Sequence, residues 1–273
     1  MSGAGAPRET AVVTGAGRGI GLEIARRLAS RGYAVLVTDI DQQAAERTAA
    51  ELGEPAWALA LDVRDPGGHR AAAEAASQRG PLRLWVNNAG VLRTRKAWEH
   101  PDDEVRLIVE ANLLGVIWGS RAAVEAMRSG GGQIINIASL TAFGAVPGLS
   151  VYAGTKAGVL NFTTSLQGDL REAGIDIDVH AVCPDSVGTD MVRERSGDHD
   201  AAIIFSAPRI LTAAEVADRT VALLDSKKIV LAVPTWRGWL ARSLAPFPRL
   251  GLKLLAAFRK SGERKRKKAM VNR

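Results

Sequence analysis

The stretch Thr14-Gly15-Ala16-Gly17-Arg18-Gly19-Ile20-Gly21 follows the short apolar run Ala11-Val12-Val13. Apolar residues at 20, 24, 25 and 28 then repeat at helical spacing, so the segment predicts a strand, a tight turn and a helix start. Glycines permit the dihedrals of such a turn and let a pyrophosphate approach the backbone amides, although the spacing GxxxGxG differs from the usual GxGxxG. The residues predicted to contact a dinucleotide here are Gly15, Arg18, Gly19, Ile20 and Gly21.

Strand-like apolar runs alternate with helical patterns along most of the 273 residues. The predicted strands are 11–14, 34–38, 56–61, 82–87, 132–138, 175–183 and 228–233. The predicted helices are 19–31, 41–52, 67–79, 102–128, 151–173 and 212–225. The fold class is therefore α/β: a single Rossmann-type, doubly wound parallel sheet of about seven strands flanked by helices, with an amphipathic and basic C-terminal extension. Residues 1–235 form the predicted dinucleotide-binding catalytic domain, and 236–273 form the tail.

Asp39 ends the second predicted strand, eighteen residues after Gly21. An acidic residue near this position can accept hydrogen bonds from the adenosine ribose hydroxyls, and its charge repels a 2′-phosphate. NAD is therefore the predicted cofactor. Arg18 instead favours NADP, because a guanidinium can bind a 2′-phosphate. NADP therefore stays open as the cofactor.

Tyr152 and Lys156 stand four residues apart, thirteen and seventeen residues after Ser139. On a helix they share one face, and the lysine charge favours the phenolate, so the phenol is expected to exchange a proton near neutral pH. Ser139 follows a buried-strand pattern and would hold the substrate oxygen. An isolated pair of this kind is more often the solvated edge of a helix, and the surrounding motifs decide between the two interpretations.

Together these motifs resemble the short-chain dehydrogenase/reductase family over residues 8 to about 235. The matching residues are Thr14 to Gly21, Asp62-Val63, Asn87-Asn88-Ala89-Gly90, Asn112, Ser139, Tyr152 and Lys156. The resemblance implies hydride transfer between a nicotinamide cofactor and a substrate, with four catalytic residues. These are Asn112, Ser139, Tyr152 and Lys156.

The resemblance also assigns further cofactor contacts. Asp62 and Val63 would edge the adenine pocket, and Asn88, Ala89 and Gly90 would pack at the adenosine end. Tyr152 and Lys156 would approach the nicotinamide and its ribose, as would Pro184, Val187 and Thr189 after the sixth strand. Asn112 would hold a water that links Lys156 to solvent. Each position also has a purely structural interpretation: Asp62 beside a helix cap, the asparagines as turn formers, and Asn112 as a satisfied helix amide.

One position departs from the family. Asp185 follows Pro184 where members usually have glycine, and a carboxylate there would favour the positively charged oxidised nicotinamide. The prediction is thus an alcohol-oxidising bias with NAD. An NADPH-dependent ketone reductase is one alternative, and a non-catalytic NAD(H)-sensing scaffold is another.

The substrate is predicted from the segment after Thr189, where the family closes a lid. Residues 191–211 mix charges with apolar side chains, and Phe143, Val146, Leu149 and Met191 are expected to form a pocket wall. We therefore expect a small hydrophobic alcohol or ketone, steroid-, retinoid- or lipid-like. The resemblance further implies a homodimer or homotetramer.

The net charge of +7 belongs to the tail, since residues 253–273 contain nine Lys or Arg and one acid. Residues 262–268 are polar enough to predict disorder. Aromatic, amphipathic and basic features of 236–258 indicate either a helix on an anionic membrane surface or a contact with a neighbouring subunit, and both stay open. Nucleic-acid binding is the weaker prediction, because no aromatic residues interleave the charges.

Cys183 is the only cysteine, and residues 1–7 lack an apolar segment of signal-peptide length. The expected location is the cytoplasm, with peripheral attachment to the inner face of the membrane if the tail binds lipid. Four scattered histidines show no ligand spacing, so no metal site is predicted.

Overall fold

A computed structural model of the chain describes residues 8–207 and 209–271. Residues 1–7, on which the predicted location partly rests, lie outside the described residues. Within them, seven parallel strands form one sheet in the order β3-β2-β1-β4-β5-β6-β7. The strands are β1 (Thr10–Thr14), β2 (Ala34–Asp39), β3 (Trp57–Ala60), β4 (Leu82–Asn87), β5 (Gly132–Ile137), β6 (Ile177–Pro184) and β7 (Val230–Val233). The predicted doubly wound sheet is confirmed.

Helices connect the strands and cover both faces of the sheet. They are α1 (Gly19–Ser30), α2 (Gln42–Leu52), α3 (Pro66–Ser77), α4 (Asp102–Val109), α5 (Gly115–Met127), α6 (Ser150–Glu172), α7 (Asp190–Arg193), α8 (Ala213–Val221), α9 (Thr235–Leu244) and α10 (Pro248–Val271). The π-helical turn Glu110–Leu114 joins α4 to α5. A 3₁₀ segment, His199–Ser206, lies downstream of α7, in the stretch where the resemblance places a lid, and is called the lid below.

Strand residues alternate between two cores, because successive side chains point to opposite faces of a sheet. Val13 and Val35 pack on one face with α1 and α8, whereas Val12, Leu36 and Trp85 pack on the other with α3 and α5. Since both faces are covered, the strands read as continuous apolar runs. That continuity explains why their bounds could be predicted to within about two residues.

A buried polar network ties the sheet centre to the helices behind it. Asn87 donates from Nδ2 to Asn136 Oδ1 at 2.9 Å and to Ser120 Oγ at 3.1 Å. Asn136 in turn donates to Thr163 Oγ1 at 3.0 Å. Because every buried amide here has a partner, the network fixes β4 and β5 against α5 and α6. The resemblance places Asn87 with Asn88 to Gly90 against the adenosine end and the central sheet; the structure places it in the sheet network, outside the cavity lining.

The C-terminal extension differs from expectation. Residues 262–268 lie within α10, so the predicted disorder of this run is wrong. Gly262 is buried because α10 packs closely on the lid, where a Cβ at Gly262 would lie 1.9 Å from the carbonyl oxygen of Ala202. The packing of the preceding helical turns explains why α10 continues through residues 262–268. The polar composition of these residues does not by itself predict a helix.

One helical run among the described residues, Asp102–Met127, is long and apolar enough to cross a membrane by length and composition. Half of its apolar stretch is buried inside the protein. Its apolar residues pack against α3 and the sheet, as in a core helix of this fold.

Candidate active site

The carboxyl ends of the central strands open into a cavity of about 390 Å³. Such strand ends are where open parallel sheets bind ligands. Most of the predicted site residues line this cavity: Gly15, Arg18, Gly19, Ile20, Asp39, Asp62, Val63, Asn88, Ala89, Gly90, Ser139, Tyr152, Lys156, Pro184, Val187 and Thr189. Gly21 and Asn112 are not in the lining and stand behind it. The structure thus brings the predicted set together, and their chemical roles stay predictions.

The glycine turn has the shape that a pyrophosphate cradle needs. Gly15 and Gly19 have φ angles of 61° and 60°, a region that favours glycine. A Cβ at Gly21 would lie 2.3 Å from the carbonyl oxygen of Gly15, so the turn closes on itself without room for a side chain. Arg18 precedes α1 and gives no side-chain cap, which leaves the first-turn amides available to an anion. The turn therefore fits a dinucleotide.

Asn88 holds that turn against the end of β4. Its Nδ2 donates to the carbonyl oxygens of Thr14 and Gly15, both at 2.9 Å. The Thr14 hydroxyl oxygen accepts from the backbone amides of Asn88 and Ala89 at 3.0 and 3.1 Å. These bonds join residues 73 to 75 positions apart in the sequence, so the two motifs form one wall of the cavity.

Asp39 stands at the far end of the cavity beside Ile40 and Arg18. Its Oδ2 accepts from the Gly17 amide at 3.0 Å, and its Oδ1 accepts from the Asp41 amide at 3.1 Å. Each carboxylate oxygen keeps a lone pair for a further donor. The carboxylate is thus fixed in direction and can accept from ribose hydroxyls.

Asp62 faces the same end and is paired with Arg64, a residue that sequence reasoning missed. Arg64 Nε donates to both Asp62 oxygens at 3.0 Å, and this pairing lowers the pKa of Asp62. Arg64 itself lines the cavity. Its position directly after Asp62-Val63 was the available signal.

Ser139, Tyr152 and Lys156 meet at the other end. Ser139 follows β5 and accepts from the Thr141 amide at 3.2 Å, while α6 carries Tyr152 and Lys156 one turn apart. Lys156 is buried and donates from Nζ to the carbonyl oxygen of Ile137 at 2.8 Å. Its Nζ lies 5.8 Å from the centroid of the Tyr152 ring. A hydroxyl, a phenol and an amine therefore share one partly enclosed corner.

The protonation of this corner differs from expectation. Burial raises the pKa of Tyr152 to about 12, although the hydrogen bond with Ser139 acts to lower it. Burial also lowers the pKa of Lys156 to about 8. The pKa of Tyr152 is therefore raised rather than lowered as expected, because desolvation dominates, and the group that opposes it is Ser139. At pH 7 Tyr152 is a phenol that can donate a proton.

Asn112 lies in the π-helical turn, fully buried. Its Oδ1 accepts from the Val91 amide at 2.7 Å, and its Nδ2 donates to the Val91 carbonyl oxygen at 2.8 Å. A Cβ on Gly90 would lie 2.9 Å from Asn112 Oδ1 and 3.7 Å from Lys156 Nζ. The side chain thus positions the loop 90–91 beside Lys156. The water relay stays a prediction.

Asp185 is not the bare carboxylate that the sequence suggested. Its Oδ2 lies 2.7 Å from Nη1 of Arg237, on the C-terminal extension, and both side chains are mostly buried. Burial raises the pKa of Asp185, and the Arg237 charge opposes that shift. The pair is neutral overall, so the argument for an oxidising bias loses its physical basis. Arg237 stands 52 residues downstream, and no local signal could link it to Asp185.

The apolar wall also differs in part. Met191 lines the cavity as expected, but Phe143 is buried beside Val159 and Cys183, and Leu149 is buried beneath the lid. Both belong to the core, so their assignment to the wall was wrong. Val146 packs with Leu149 and lines a neighbouring groove instead. Other apolar side chains that line the cavity include Leu92, Leu107, Leu140, Val192 and Ile204.

A parallel sheet with a glycine cradle, an acidic residue at the second strand and a serine-tyrosine-lysine corner defines a dinucleotide-dependent oxidoreductase. The family model for short chain dehydrogenase matches residues 9–200, and the chain belongs to this family. The resemblance drawn from the motifs is confirmed.

Similar proteins include 3-oxoacyl-[acyl-carrier-protein] reductase FabG of Escherichia coli (strain K12). It is 36% identical over 220 residues, which are 79% of this chain and 89% of that protein. The probable oxidoreductase EphD of Mycobacterium tuberculosis (strain ATCC 25618 / H37Rv) is 34% identical over 186 residues, 66% of this chain but 31% of EphD. A crystal structure of a short chain dehydrogenase/reductase from Burkholderia phymatum in complex with NAD superposes with a TM-score of 0.79. It is 24% identical, covers 90% of this chain and 95% of its own, and shows the shared fold.

Proposed function

We propose that the protein transfers a hydride between NAD(H) and a hydrophobic secondary alcohol or ketone of steroid, retinoid or lipid type. The main support for this proposal is that Ser139, Tyr152 and Lys156 line the same cavity as the glycine turn. A sensing scaffold would use the turn but has no need of a buried phenol and amine at the opposite end.

A nicotinamide cofactor bound in the cavity would supply or accept the hydride. The residues of the chain hold the substrate oxygen and move its proton. Ser139 orients that oxygen, and Tyr152 donates its phenolic proton to it during ketone reduction or receives one during alcohol oxidation. Lys156, fixed by the Ile137 carbonyl, places a positive charge where a phenolate develops.

We propose that the reaction at neutral pH is ketone reduction. A phenol with a pKa of about 12 is protonated, which is the form that reduction requires. The Asp185-Arg237 pair adds no net charge that would attract an oxidised nicotinamide. Relatives named as reductases support the same direction. Alcohol oxidation needs the phenolate and is therefore expected in alkaline solution.

NAD(H) is the proposed cofactor because Asp39 is held at the ribose end by the Gly17 and Asp41 amides. Arg64 also lines this end, but its guanidinium is paired with Asp62 and is less available to a phosphate. The presence of NAD in the similar Burkholderia phymatum structure supports this choice. Arg18 keeps NADP(H) as the alternative.

The substrate class follows from the cavity wall. Leu92 and Ile204 pack in one cluster with Tyr152, and Met191 lines the same cavity, which favours a ketone within a hydrocarbon framework. The wall around Ser139 and Tyr152 carries no basic side chain other than Lys156 among the described lining residues. We therefore propose a neutral, lipid-like ketone rather than a phosphorylated one. A homodimer or homotetramer in the cytoplasm is proposed on the family resemblance.

The experiment is a substrate panel assayed by NADH consumption. Steroid, retinoid, straight-chain aliphatic and aromatic ketones are compared at equal concentration, each with NADH and NADPH. We expect turnover with NADH that increases with the apolar size of the ketone until the cavity is filled. A preference for small or charged ketones would contradict the proposed substrate class, and a preference for NADPH would contradict the cofactor.

A further inference from the structure

The outer faces of α9 and α10 carry a row of exposed aromatic and aliphatic side chains that the active site does not use. We define this C-terminal stripe as Trp236, Trp239, Phe247, Leu250, Leu254 and Phe258, each between 39% and 73% exposed. Monomeric soluble proteins rarely expose contiguous apolar surface of this kind without a partner for it.

The stripe is a regular helical feature. Trp236 and Trp239 are three residues apart on α9, and Leu250, Leu254 and Phe258 repeat every four residues on α10. The Gly251 amide donates to the Phe247 carbonyl oxygen at 3.0 Å, so Phe247, three residues before Leu250, belongs to the first turn of the same helix. Residues at such intervals share one helix face.

Other residues of both helices are already bound to the protein. On α9, Arg237 pairs with Asp185, and Arg242 lies 4.6 Å from the centroid of the Phe143 ring. On α10, Arg259 pairs with Asp200 of the lid at 3.1 Å, and Gly262 packs on Ala202. These contacts hold both helices against the protein while the stripe side chains stay exposed.

The charge around the C-terminal stripe indicates what kind of surface it binds. Residues 236–273 contain twelve Lys or Arg and one acid, a net +11, whereas residues 1–235 contain 24 cations and 28 acids, a net −4. Among the described residues, Arg249 and Lys253 are exposed on the same helix as the stripe. Aromatic and aliphatic residues flanked by cations are the composition of helices that lie in anionic membrane interfaces.

We propose that the C-terminal stripe docks on the surface of an anionic phospholipid bilayer. The bilayer buries the apolar side chains, and its lipid headgroups attract the surrounding cations. The net negative charge of the remainder keeps the catalytic domain away from that surface and so orients the molecule. Since α10 also covers the lid that supplies Ile204 to the cavity wall, docking would bring a lipid-like substrate near the cavity; this consequence alone rests on the proposed function.

The test is flotation of the full chain with vesicles of phosphatidylcholine alone or with about one third phosphatidylglycerol. We expect binding to the anionic vesicles only, weakening as salt rises. The double substitution Trp239→Ser with Leu250→Ser should lower the partition coefficient by at least about tenfold, because it removes apolar area that the bilayer would bury. Arg249→Glu with Lys253→Glu should lower it by a similar factor.

Trp98→Ser is the matched control, since Trp98 is 81% exposed but lies on a different surface segment, Ala97–Glu99. It should leave flotation unchanged. Each variant's circular dichroism spectrum and NADH-dependent activity report whether it is folded. Equal binding to both vesicle types, or a loss caused by Trp98→Ser as well, would overturn the proposal. Sedimentation provides the remaining outcome: if the stripe variant dissociates an oligomer and the wild type ignores anionic vesicles, the stripe is a subunit interface.

Discussion

Replacing Asp39 by asparagine should turn the enzyme toward NADPH. The change removes the carboxylate charge and keeps one oxygen, which can accept from the Gly17 amide, now 3.0 Å from Asp39 Oδ2; the bond that Asp39 Oδ1 accepts from the Asp41 amide is lost. The glycine turn therefore keeps its tether, and the side chain keeps its size and shape. Asp39 is partly exposed, so solvent screens part of its field.

The magnitude follows from electrostatics. Two like unit charges about 5 Å apart repel by about 3 kcal/mol at an effective dielectric constant near 20, and by about 1 kcal/mol in water. A partly exposed carboxylate lies between these limits, so removing its charge should relieve about 2 kcal/mol of repulsion toward a 2′-phosphate. This corresponds to a gain of about 30-fold in kcat/KM for NADPH. For NADH, a neutral acceptor replaces a charged one, and kcat/KM should fall about fivefold.

The assay is steady-state reduction of one ketone with each cofactor, for the wild type, Asp39→Asn and Asp41→Asn. Asp41 is the control, because it stands two residues away, caps α2 through the Ala44 amide at 3.1 Å and is not in the cavity lining. Its substitution should change the ratio of NADPH to NADH efficiency by less than about twofold. An unchanged ratio in Asp39→Asn, or a wild type that already uses NADPH equally well, would refute the reasoning.

Three further outcomes are expected. Gly21→Ala should abolish NADH binding measured by fluorescence, because its Cβ would lie 2.3 Å from the Gly15 carbonyl oxygen; Gly168→Ala, with no atom near its Cβ, should not, and retained binding in Gly21→Ala would contradict the tight cradle. Arg237→Met should lower the free energy of unfolding in urea by about 2 kcal/mol, since it leaves Asp185 buried without its partner, whereas the exposed Arg249→Met should change it by less than about 0.5 kcal/mol. Equal effects would show that the pair is not stabilising. With a Tyr152 pKa of about 12, kcat/KM for alcohol oxidation should rise about tenfold per pH unit across the neutral range while ketone reduction stays flat, and an oxidation plateau near pH 7 would indicate a lowered pKa instead.

The sheet could be predicted because its strands are buried on both faces and each ends at a recognisable motif. The predicted motifs follow strands whose carboxyl ends meet at one edge of the sheet; they are Thr14 to Gly21, Asn88 and Ser139. Their spacing along the chain was therefore enough to predict that they line one cavity. The cofactor end was predictable for the same reason. Its chemistry depends on backbone turns whose sequence requirements are local.

The rest depends on contacts between distant residues. The Asp185-Arg237 pair joins the loop after β6 to α9, and the helical run 262–268 is held by packing of α10 on the lid. Sequence propensity does not report such packing. Asp185 was therefore interpreted as an unpaired charge, and residues 262–268 were predicted to be disordered. The direction of the Tyr152 pKa shift could not be predicted for a related reason. Its spacing from Lys156 was visible in the sequence, but the burial that dominates its pKa was not.

The most direct test of the central assignment is NADH consumption with a ketone found active in the panel, compared between the wild type and Tyr152→Phe. Phenylalanine keeps the ring that packs beside Leu92 and Leu149 but removes the phenolic proton. We expect turnover to fall by at least about a hundredfold, while NADH affinity from fluorescence titration changes by less than about threefold. Turnover retained in Tyr152→Phe would contradict the role of this residue as proton donor and, with it, the proposed mechanism.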